Sequence, residues 1–477
     1  MTFFNVLIII WTIAMGFIAC RIYGRLLNPC FMMNLIWCVC STGAVLGLFS
    51  FNKPSLKTYI YIFAFLLIYS VSSLLFRIMF AKRARKAPSD QIYHNMERLR
   101  DKGSFDVDVN VKLFAVILLF FILCLLPAIL KAFSYFSSGD LKTLRALFLY
   151  DSQVFLGRFM SYFYNYVIRP YIIFLCILAS YAIAKNFRQK WGLLVLAITG
   201  VSIHMFISAG RMLVFELGCY ILIAILLYRA KEKDIIAKFH FGALQVKITK
   251  RIGLILFVSV PLIFAIIFIS SLRSYTEYGI IGTFWQYAIG PMSYLDLIVN
   301  KPEMFGISTN TFLFGKATFG PLTGFFDTLL SVLVGTDYQG ADYLVNQYVE
   351  RFYYIAPGVR LNATATILYP FLRDWGIAGL FIGPCIIALL VEFVDHKAEA
   401  TYSVAWHLAR ISIYYMILFS IWRYTLLYPW TYMSFFWILV FQPLNSVNFR
   451  LRFRKISGIE DNILSTSSTT VSLKQTR

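Results

Sequence analysis

The chain has 477 residues, of which 59% are hydrophobic, 18% aromatic and only 14% charged, and its mean hydropathy is +0.71. These values exclude an ordinary soluble domain, in which about a quarter of the residues carry charge, and they predict an integral membrane protein. The net charge of +21 does not indicate nucleic-acid binding, because the basic residues cluster in short connectors between apolar runs, as in other membrane proteins.

The apolar runs predict an all-α polytopic membrane protein with about eleven transmembrane helices, since roughly 20 apolar residues cross a bilayer. The predicted spans cover residues 3–20, 30–51, 58–80, 111–130, 162–184, 191–208, 212–228, 252–271, 376–394, 410–428 and 430–447. Arginines follow the first run rather than precede it, and no small-residue cleavage site ends it. It is therefore expected to be a retained anchor and not a signal peptide.

Basic connectors predict the topology. Connectors 81–110 and 229–251 are rich in lysine and arginine, which places them in the cytoplasm. Simple alternation of the spans brings the smaller basic groups at 21–25, 185–190 and 450–455 to the same side. The N-terminus is then outside the cell and the C-terminus in the cytoplasm.

One large outer loop divides the predicted chain. The expected parts are residues 1–271 with eight transmembrane helices, the loop 272–375, residues 376–447 with three more helices, and the basic cytoplasmic tail 448–477. Two apolar pieces of the loop, 284–299 and 321–335, are short and interrupted by proline or aspartate, so they are predicted to be re-entrant or interfacial helices. Because the loop is the only long polar interval, a site for a polar substrate is expected there.

The loop and its borders contain several arginines, whose planar fork of donors matches phosphate oxygens. Arg273 follows the eighth predicted span, and Arg360 and Arg373 precede the ninth, so three guanidiniums are expected near one membrane boundary. Arg351 lies nearby in the sequence. This pattern predicts a diphosphate site at the level of the lipid headgroups. The alternative for each arginine is a structural pair with a carboxylate of the loop.

Arg211 separates two abutting apolar spans, where a charge is costly unless an anion pairs with it. His204, Ser208 and Arg211 share one helix face if the helix continues through Gly210. Two alternatives stay open for Arg211, a guanidinium that reaches the headgroups and a pair with Glu216. For His204 the alternative is a hydrogen-bonded histidine of the core.

Acids and aromatic residues of the loop complete the candidate site. Tyrosines such as Tyr294 offer flat faces to sugar rings, although aromatic residues are common at any membrane interface. The candidates for a general base are Asp296, Glu277, Asp342 and Asp374. The chain lacks the GxGxxG, P-loop, HExxH and GxSxG patterns, and its cysteines lack metal-ligand spacing, so no metal or cofactor is expected. A DxD pattern at 106–108 lies in a short connector without an α/β domain.

Three segments, SAGRMLVFEL, QYAIGPMSYLDLIV and LNATATILYPFLRDWGIAGLFIG, resemble the Wzy-type O-antigen and capsular repeat-unit polymerases. The plan of many spans with one dominant outer loop is similar too, and the resemblance covers about residues 190–395. It implies a GT-C-like membrane glycosyltransferase in the bacterial inner membrane that acts on undecaprenyl-diphosphate-linked oligosaccharide at the outer leaflet. It also implies contact with membrane lipid and with a chain-length regulator and a flippase, but not with nucleic acid.

The resemblance also implies roles for single residues. The diphosphate would be held by Arg211, Arg273 and Arg360, and the passage from loop to helix would be shaped by Asn362, Asp374, Gly376 and Gly379. Two features depart from the pattern. The related O-antigen ligases carry a histidine just before the asparagine that matches Asn362, where this chain has Leu361. The paired Arg-x10-Gly motifs of some polymerases are absent.

The implied reaction transfers a growing glycan from its lipid diphosphate to a hydroxyl of a new lipid-linked repeat unit. Lipid diphosphate is a good leaving group, so the protein has to neutralise its charge and position the acceptor. Three other classes stay open. An O-antigen ligase shares the chemistry but uses a different acceptor, a flippase or transporter typically shows internal repeats and broken helices at the bilayer midplane, and a structural scaffold needs no loop.

Overall fold

The computed structural model describes residues 2–47, 51–86, 109–148, 154–155, 157–228, 279–308, 311–322, 341–357, 359–361, 365–401 and 403–441. The predicted span 252–271, the DxD pattern, the tail and nearly all of the apolar piece 321–335 lie outside these residues. Three predicted site residues, Arg273, Glu277 and Asn362, also lie outside them.

The described chain begins with three helices, α1 (Thr2–Tyr23), α2 (Pro29–Leu46) and α3 (Leu56–Lys86), which pack against one another. The start of α2 is fixed by Asn28, whose side chain accepts a hydrogen bond from the first turn of the helix, at 2.9 Å. Its end is fixed by Gly47, which has φ 63° and so adopts the left-handed conformation that favours glycine.

A second group of helices surrounds α7, which is buried over most of its length between α8 and α9. The helices of this group are α4 (Val111–Ser137), α5 (Leu141–Ala146), α6 (Arg158–Phe163), α7 (Arg169–Lys185), α8 (Lys190–Ser208) and α9 (Met212–Tyr228). A π-helical turn, Tyr164–Ile168, joins α6 to α7. Such turns are frequent at functional sites.

The remaining elements include the predicted loop. They are α10 (Gly279–Asn300), a 3₁₀ turn (Pro302–Phe305), α11 (Ala341–Val349), β1 (Tyr353–Ala356), β2 (Val359–Leu361), α12 (Leu368–Trp375), a 3₁₀ turn (Gly376–Ala378), α13 (Gly379–Ala400), α14 (Val404–Phe419), a 3₁₀ turn (Thr425–Leu427) and α15 (Pro429–Phe441). The two strands form an antiparallel hairpin in which Tyr354 lies opposite Arg360. The described residues are therefore mostly helical, as expected of an all-α membrane protein, with one short hairpin.

Two hydrophobic cores share α14. One lies between α4, α7, α8, α9 and α14, and the other between α1, α2, α3, α10, α12, α13 and α14. Close packing of α12 on α13 requires glycine at Gly379 and Gly383, because a Cβ at either position would collide with Phe371. Gly376 has φ 55° and turns the chain between these two helices. We call the end of the bundle at which α12 meets α13 the loop side, and the end at which α13 leads into α14 the connector side.

Within the described residues, seven helices are long and apolar enough to cross a membrane, and three shorter helices are also apolar. The longer ones are Phe3–Tyr23, Pro29–Leu46, Leu56–Lys82, Val111–Ser137, Phe159–Lys185, Lys190–Ser208 and Leu368–Ala400, and the shorter ones are Met212–Tyr228, Val404–Phe419 and Pro429–Phe441. A membrane-embedded, mostly helical protein is thereby confirmed. The count of eleven spans, the orientation of the termini and the GT-C-like class stay predictions. The predicted span 410–428 is displaced, because the helix ends at Phe419.

Candidate functional site

The helical structure is interrupted between α8 and α9, and Arg211 lies in this break. The helix ends at Ser208, and Ala209 has φ 44°, so α8 does not continue through Gly210. The condition for a shared face of His204, Ser208 and Arg211 is therefore not met. Arg145 seals the break by donating a hydrogen bond to the backbone oxygen of Ser208 at 3.1 Å. A Cβ at position 210 would lie 2.8 Å from the Arg145 guanidinium, so a larger residue there would displace this side chain.

His204 is a hydrogen-bonded core residue, which is the alternative that the sequence left open. Its side chain is buried, and its Nδ1 forms a short hydrogen bond with the hydroxyl of Tyr164, whose ring is parallel to the imidazole. The backbone oxygen of His204 accepts a hydrogen bond from Ser208 at 2.6 Å. This histidine holds the π-helical turn against α8.

Arg211 lies at the start of α9 and is partly buried. Its guanidinium is 6.0 Å from the ring centre of Tyr287 on α10. The backbone oxygen of Tyr287 in turn accepts a hydrogen bond from the indole of Trp422, in the segment that follows α14. Arg211 is thus placed beside the loop-side end of α14. The sequence suggested an ion pair between Arg211 and Glu216. The ion pair that the structure describes for Glu216 is formed with a different arginine.

Glu216 pairs instead with Arg423, which follows α14. The distance between Oε1 of Glu216 and Nη2 of Arg423 is 2.7 Å, and the exposed fractions of their side chains are 4% and 19%. The rings of Phe419 and Tyr428 lie 5.9 and 5.4 Å from its guanidinium. Arg423 therefore stays charged among aromatic side chains.

A second arginine, Arg169 at the first position of α7, lies near this pair. Its guanidinium stacks on Trp430 at 3.6 Å from the ring centre, and it interacts electrostatically with both Glu216 and Arg423. Among the described residues, Glu216 is the only carboxylate that forms an ion pair with either arginine. We call Arg169, Arg423 and Glu216 the loop-side cluster; its formal charge is positive.

Two small cavities meet at Arg423. The first, of about 20 Å³, has room for one water molecule and is lined by Glu216, Tyr220, Ser412, Tyr415, Arg423 and Thr425, among others. The second, of about 10 Å³, is lined partly by residues of α11 and α12, including Asn346 and Tyr369. Nε of Arg169, Nε of Arg423 and Oγ1 of Thr425 have no hydrogen-bond partner within the described chain. Buried donors of this kind are suited to an anionic ligand.

Arg373 and Asp374 are predicted site residues that hold the loop together. Arg373 is buried, and its guanidinium donates to the backbone oxygens of Gly306 and Thr311. The Asp374 carboxylate accepts hydrogen bonds from the backbone of Ala317 at 2.9 Å and from the backbone and hydroxyl of Thr318 at 2.7 and 2.6 Å. With both oxygens bonded, Asp374 is better suited to a structural role than to proton transfer.

Asp296 and Tyr294 on α10 are also occupied. Asp296 accepts hydrogen bonds from the backbone of Ser55 at 2.6 Å and from the hydroxyl of Thr58 at 2.7 Å, and so caps the first turn of α3. Tyr294 is buried against Phe305, and its hydroxyl donates to a backbone oxygen of α11. The Tyr294 hydroxyl is therefore engaged, whereas Asp296 is held through its Oδ1 atom alone in the hydrogen bonds described.

Arg351 and Arg360 lie at the surface beside and on the hairpin. The Arg360 guanidinium is 4.5 Å from the ring centre of Tyr354 and donates a hydrogen bond to its hydroxyl. The expected convergence of the loop arginines is thus not seen for Arg360 and Arg373, of which one stacks on a surface tyrosine and the other binds backbone oxygens. The side chain of Asp342 lies outside what the structure describes.

A second charged cluster lies toward the connector side. It consists of Arg25, Arg77, Arg410, Asp395 and Glu399, and we call it the connector-side network. Asp395 binds Arg25 directly and Nε of Arg410 at 2.8 Å, whereas Glu399 binds Arg25 at 2.7 Å and Arg77 at 2.5 Å. Nearby, Glu392 accepts hydrogen bonds from Tyr23 and Ser73. No group of three metal-ligating side chains suited to an ion occurs in the described ranges.

The sequence interpretation missed the loop-side cluster, although a signal was present. Arg169, Glu216 and Arg423 each fall inside a predicted transmembrane span, where an ionisable side chain indicates a functional or paired residue. Their proximity depends on the packing of α7, α9 and the end of α14, which no spacing in the sequence reveals. Comparisons of this chain with protein-family models, with curated proteins and with solved structures found no match.

Proposed function

We propose that this protein is a membrane glycosyltransferase that joins undecaprenyl-diphosphate-linked oligosaccharide repeat units into O-antigen, capsular polysaccharide or exopolysaccharide at the outer leaflet of the bacterial inner membrane. The observation that carries the proposal is the loop-side cluster, in which Arg423 pairs with one carboxylate and Arg169 lies nearby without an ion pair in the described chain, beside a cavity within a membrane protein. The resemblance of residues 208–217 to repeat-unit polymerases supports it, because this segment contains both Arg211 and Glu216.

The chemistry fits a lipid diphosphate as leaving group. Guanidiniums stabilise the negative charge that develops on the leaving oxygen, and partly buried guanidiniums do so more effectively than groups in bulk water. Arg169 and Arg423 provide this charge, and Arg211 stands at the N-terminus of the 17-residue helix α9, where the helix dipole also favours an anion. The isoprenoid tail can then stay among the exposed apolar side chains of the membrane helices.

The test compares glycan in cells that lack the protein with glycan in cells that carry the wild type, Arg211→Ala or Arg188→Ala at matched membrane levels. Arg188 is exposed in the turn between α7 and α8 and serves as the control. We expect single repeat units without the protein, a full ladder with the wild type and with Arg188→Ala, and ladder formation reduced ~100-fold with Arg211→Ala.

Other outcomes point to other functions. Repeat units that accumulate inside the membrane in cells that lack the protein would indicate a flippase or transporter. Finished polysaccharide that stays on its lipid carrier would indicate a ligase, because the acceptor and not the polymer is then missing. A full ladder with Arg211→Ala would contradict the proposed site.

A further inference from the structure

We propose, on the basis of the proposed function, that Glu216 is the general base of the transfer reaction and that Arg423 restrains it until a diphosphate binds. Arg423 then exchanges Glu216 for the diphosphate, which leaves the carboxylate unpaired and next to the acceptor hydroxyl. The proposal assigns the base that the sequence did not identify. It also accounts for the described ion pair of the cluster, whose carboxylate lines a cavity.

Fewer hydrogen bonds hold Glu216 than hold Asp374 and Asp296, the other acids compared on the loop side. The Asp374 carboxylate accepts three hydrogen bonds, and that of Asp296 accepts bonds from Ser55, Thr58 and Asn300. In the described chain Glu216 has one partner, Nη2 of Arg423, which contacts Oε1. A general base requires an accessible lone pair within hydrogen-bond reach of the acceptor, and Glu216 meets this requirement once Arg423 turns away.

Arg423 has the position needed for such an exchange. It lines both the pocket that contains Glu216 and the pocket bounded by α11 and α12. Its Nε has no hydrogen-bond partner in the described ranges, and it is held by aromatic faces rather than by a second acid. A rotation of the side chain therefore breaks a single ion pair.

The charges of the cluster favour the exchange when a diphosphate diester arrives. Such a diester carries about two negative charges at neutral pH, which match the guanidiniums of Arg169 and Arg423. Once both arginines bind phosphate oxygens, Arg423 no longer occupies Oε1 of Glu216, and that oxygen can accept a hydrogen bond from the acceptor hydroxyl. Binding of the donor thus activates the base.

The reaction balances as follows. The oxygen of the acceptor hydroxyl forms a bond to the anomeric carbon of the donor glycan, and its proton passes to a carboxylate oxygen of Glu216. The bond between the anomeric carbon and the diphosphate oxygen breaks, and its electron pair leaves on the diphosphate, which Arg169 and Arg423 stabilise. When undecaprenyl diphosphate departs, Glu216 gives its proton to water and pairs with Arg423 again.

The test uses the full-length protein in lipid nanodiscs with a synthetic undecaprenyl-diphosphate oligosaccharide as substrate and undecaprenyl diphosphate as binding probe. Glu216→Gln keeps the shape and an acceptor oxygen but cannot take the proton. We expect its kcat to fall ~100-fold or more. We expect its Kd for undecaprenyl diphosphate to be unchanged or lower, since Arg423 no longer has to leave an anion. Arg188→Ala, in the exposed turn between α7 and α8, is the control and should change both quantities less than threefold.

The possible results distinguish a catalytic role of Glu216 from a structural one. Turnover by Glu216→Gln within threefold of the wild type would show that another group takes the proton. A parallel loss of turnover, probe binding and thermal stability would show that Glu216 has only a structural role. Either result overturns this inference and leaves the proposed function standing. A wild-type protein that forms no polymer from lipid-linked repeat units, yet inserts and folds normally, would overturn both.

Discussion

The loop-side cluster and the connector-side network differ in how their charges are matched. On the connector side, each of the three arginines forms ion pairs with both Asp395 and Glu399. On the loop side, Arg423 forms one ion pair with Glu216 next to a cavity, and Arg169 forms none within the described chain. Fully paired arginines hold helices in one arrangement, whereas a weakly paired arginine beside an opening leaves charge for a ligand. The connector-side network is therefore expected to stabilise the fold, and the loop-side cluster to bind a ligand.

The helices involved support this division. The connector-side network joins the turn after α1 to α3, α13 and α14, because Asp395 on α13 contacts arginines from the other elements. It therefore closes the core built on α1, α2 and α3. The loop-side cluster lies where α7, α9 and the segment after α14 meet, and its walls are aromatic: Phe419, Tyr428 and Trp430. Aromatic rings contact the arginines without neutralising their positive charge.

The largest effect is expected from Asp395→Asn. This change leaves three arginines around a neutral amide, and removal of one partner from a buried ion pair typically costs about 3–5 kcal/mol. We expect the free energy of unfolding, measured by denaturant titration in mixed micelles, to fall by about this amount. Glu399→Gln is the control with a smaller expected loss, because the glutamate side chain is 30% exposed. Unchanged stability together with lost transfer would reverse the comparison.

A smaller effect, on activity and not on stability, is expected from Arg169→Ala. No carboxylate forms an ion pair with Arg169 in the described chain, so its removal leaves no unpaired buried acid. Loss of its stacking on Trp430 costs about 2 kcal/mol or less. We expect transfer to fall ~100-fold, because one of two cations at the leaving group is lost. Arg169→Lys should restore part of the rate.

Turnover and thermal unfolding, measured on the same nanodisc preparation, separate these effects. If Arg169→Ala lost stability as Asp395→Asn does but kept its specific activity, the loop-side cluster would be structural as well. The proposed division between the two ends of α14 would then fail.

Much of the fold was predictable, because a bilayer imposes length and polarity on each helix. The predicted span 212–228 coincides with α9, Met212–Tyr228, and 191–208 differs from α8 by one residue. The hairpin and the break after Phe419 were not predicted, since they depend on tertiary packing. For the site, Arg211 was identified because a charged side chain between two apolar spans is energetically costly. Arg169 and Arg423 were not identified. Composition marks a charge as unusual, whereas only the packing of the helices shows which charges meet.

The smallest effect is expected from Arg360→Ala, which tests how far the site extends. The resemblance implies that Arg360 holds the diphosphate, but the structure places it at the surface on the face of Tyr354. Exposed contacts of this kind contribute about 1 kcal/mol or less. We therefore expect ladder formation and Kd for undecaprenyl diphosphate to change less than threefold, in the assays described for Arg211→Ala and Glu216→Gln. A 100-fold loss of probe binding with normal stability would mean that the hairpin folds over the cluster during the reaction. The diphosphate would then bind between the membrane arginines and the loop. The hairpin would be a movable element in addition to the paired and the weakly paired clusters.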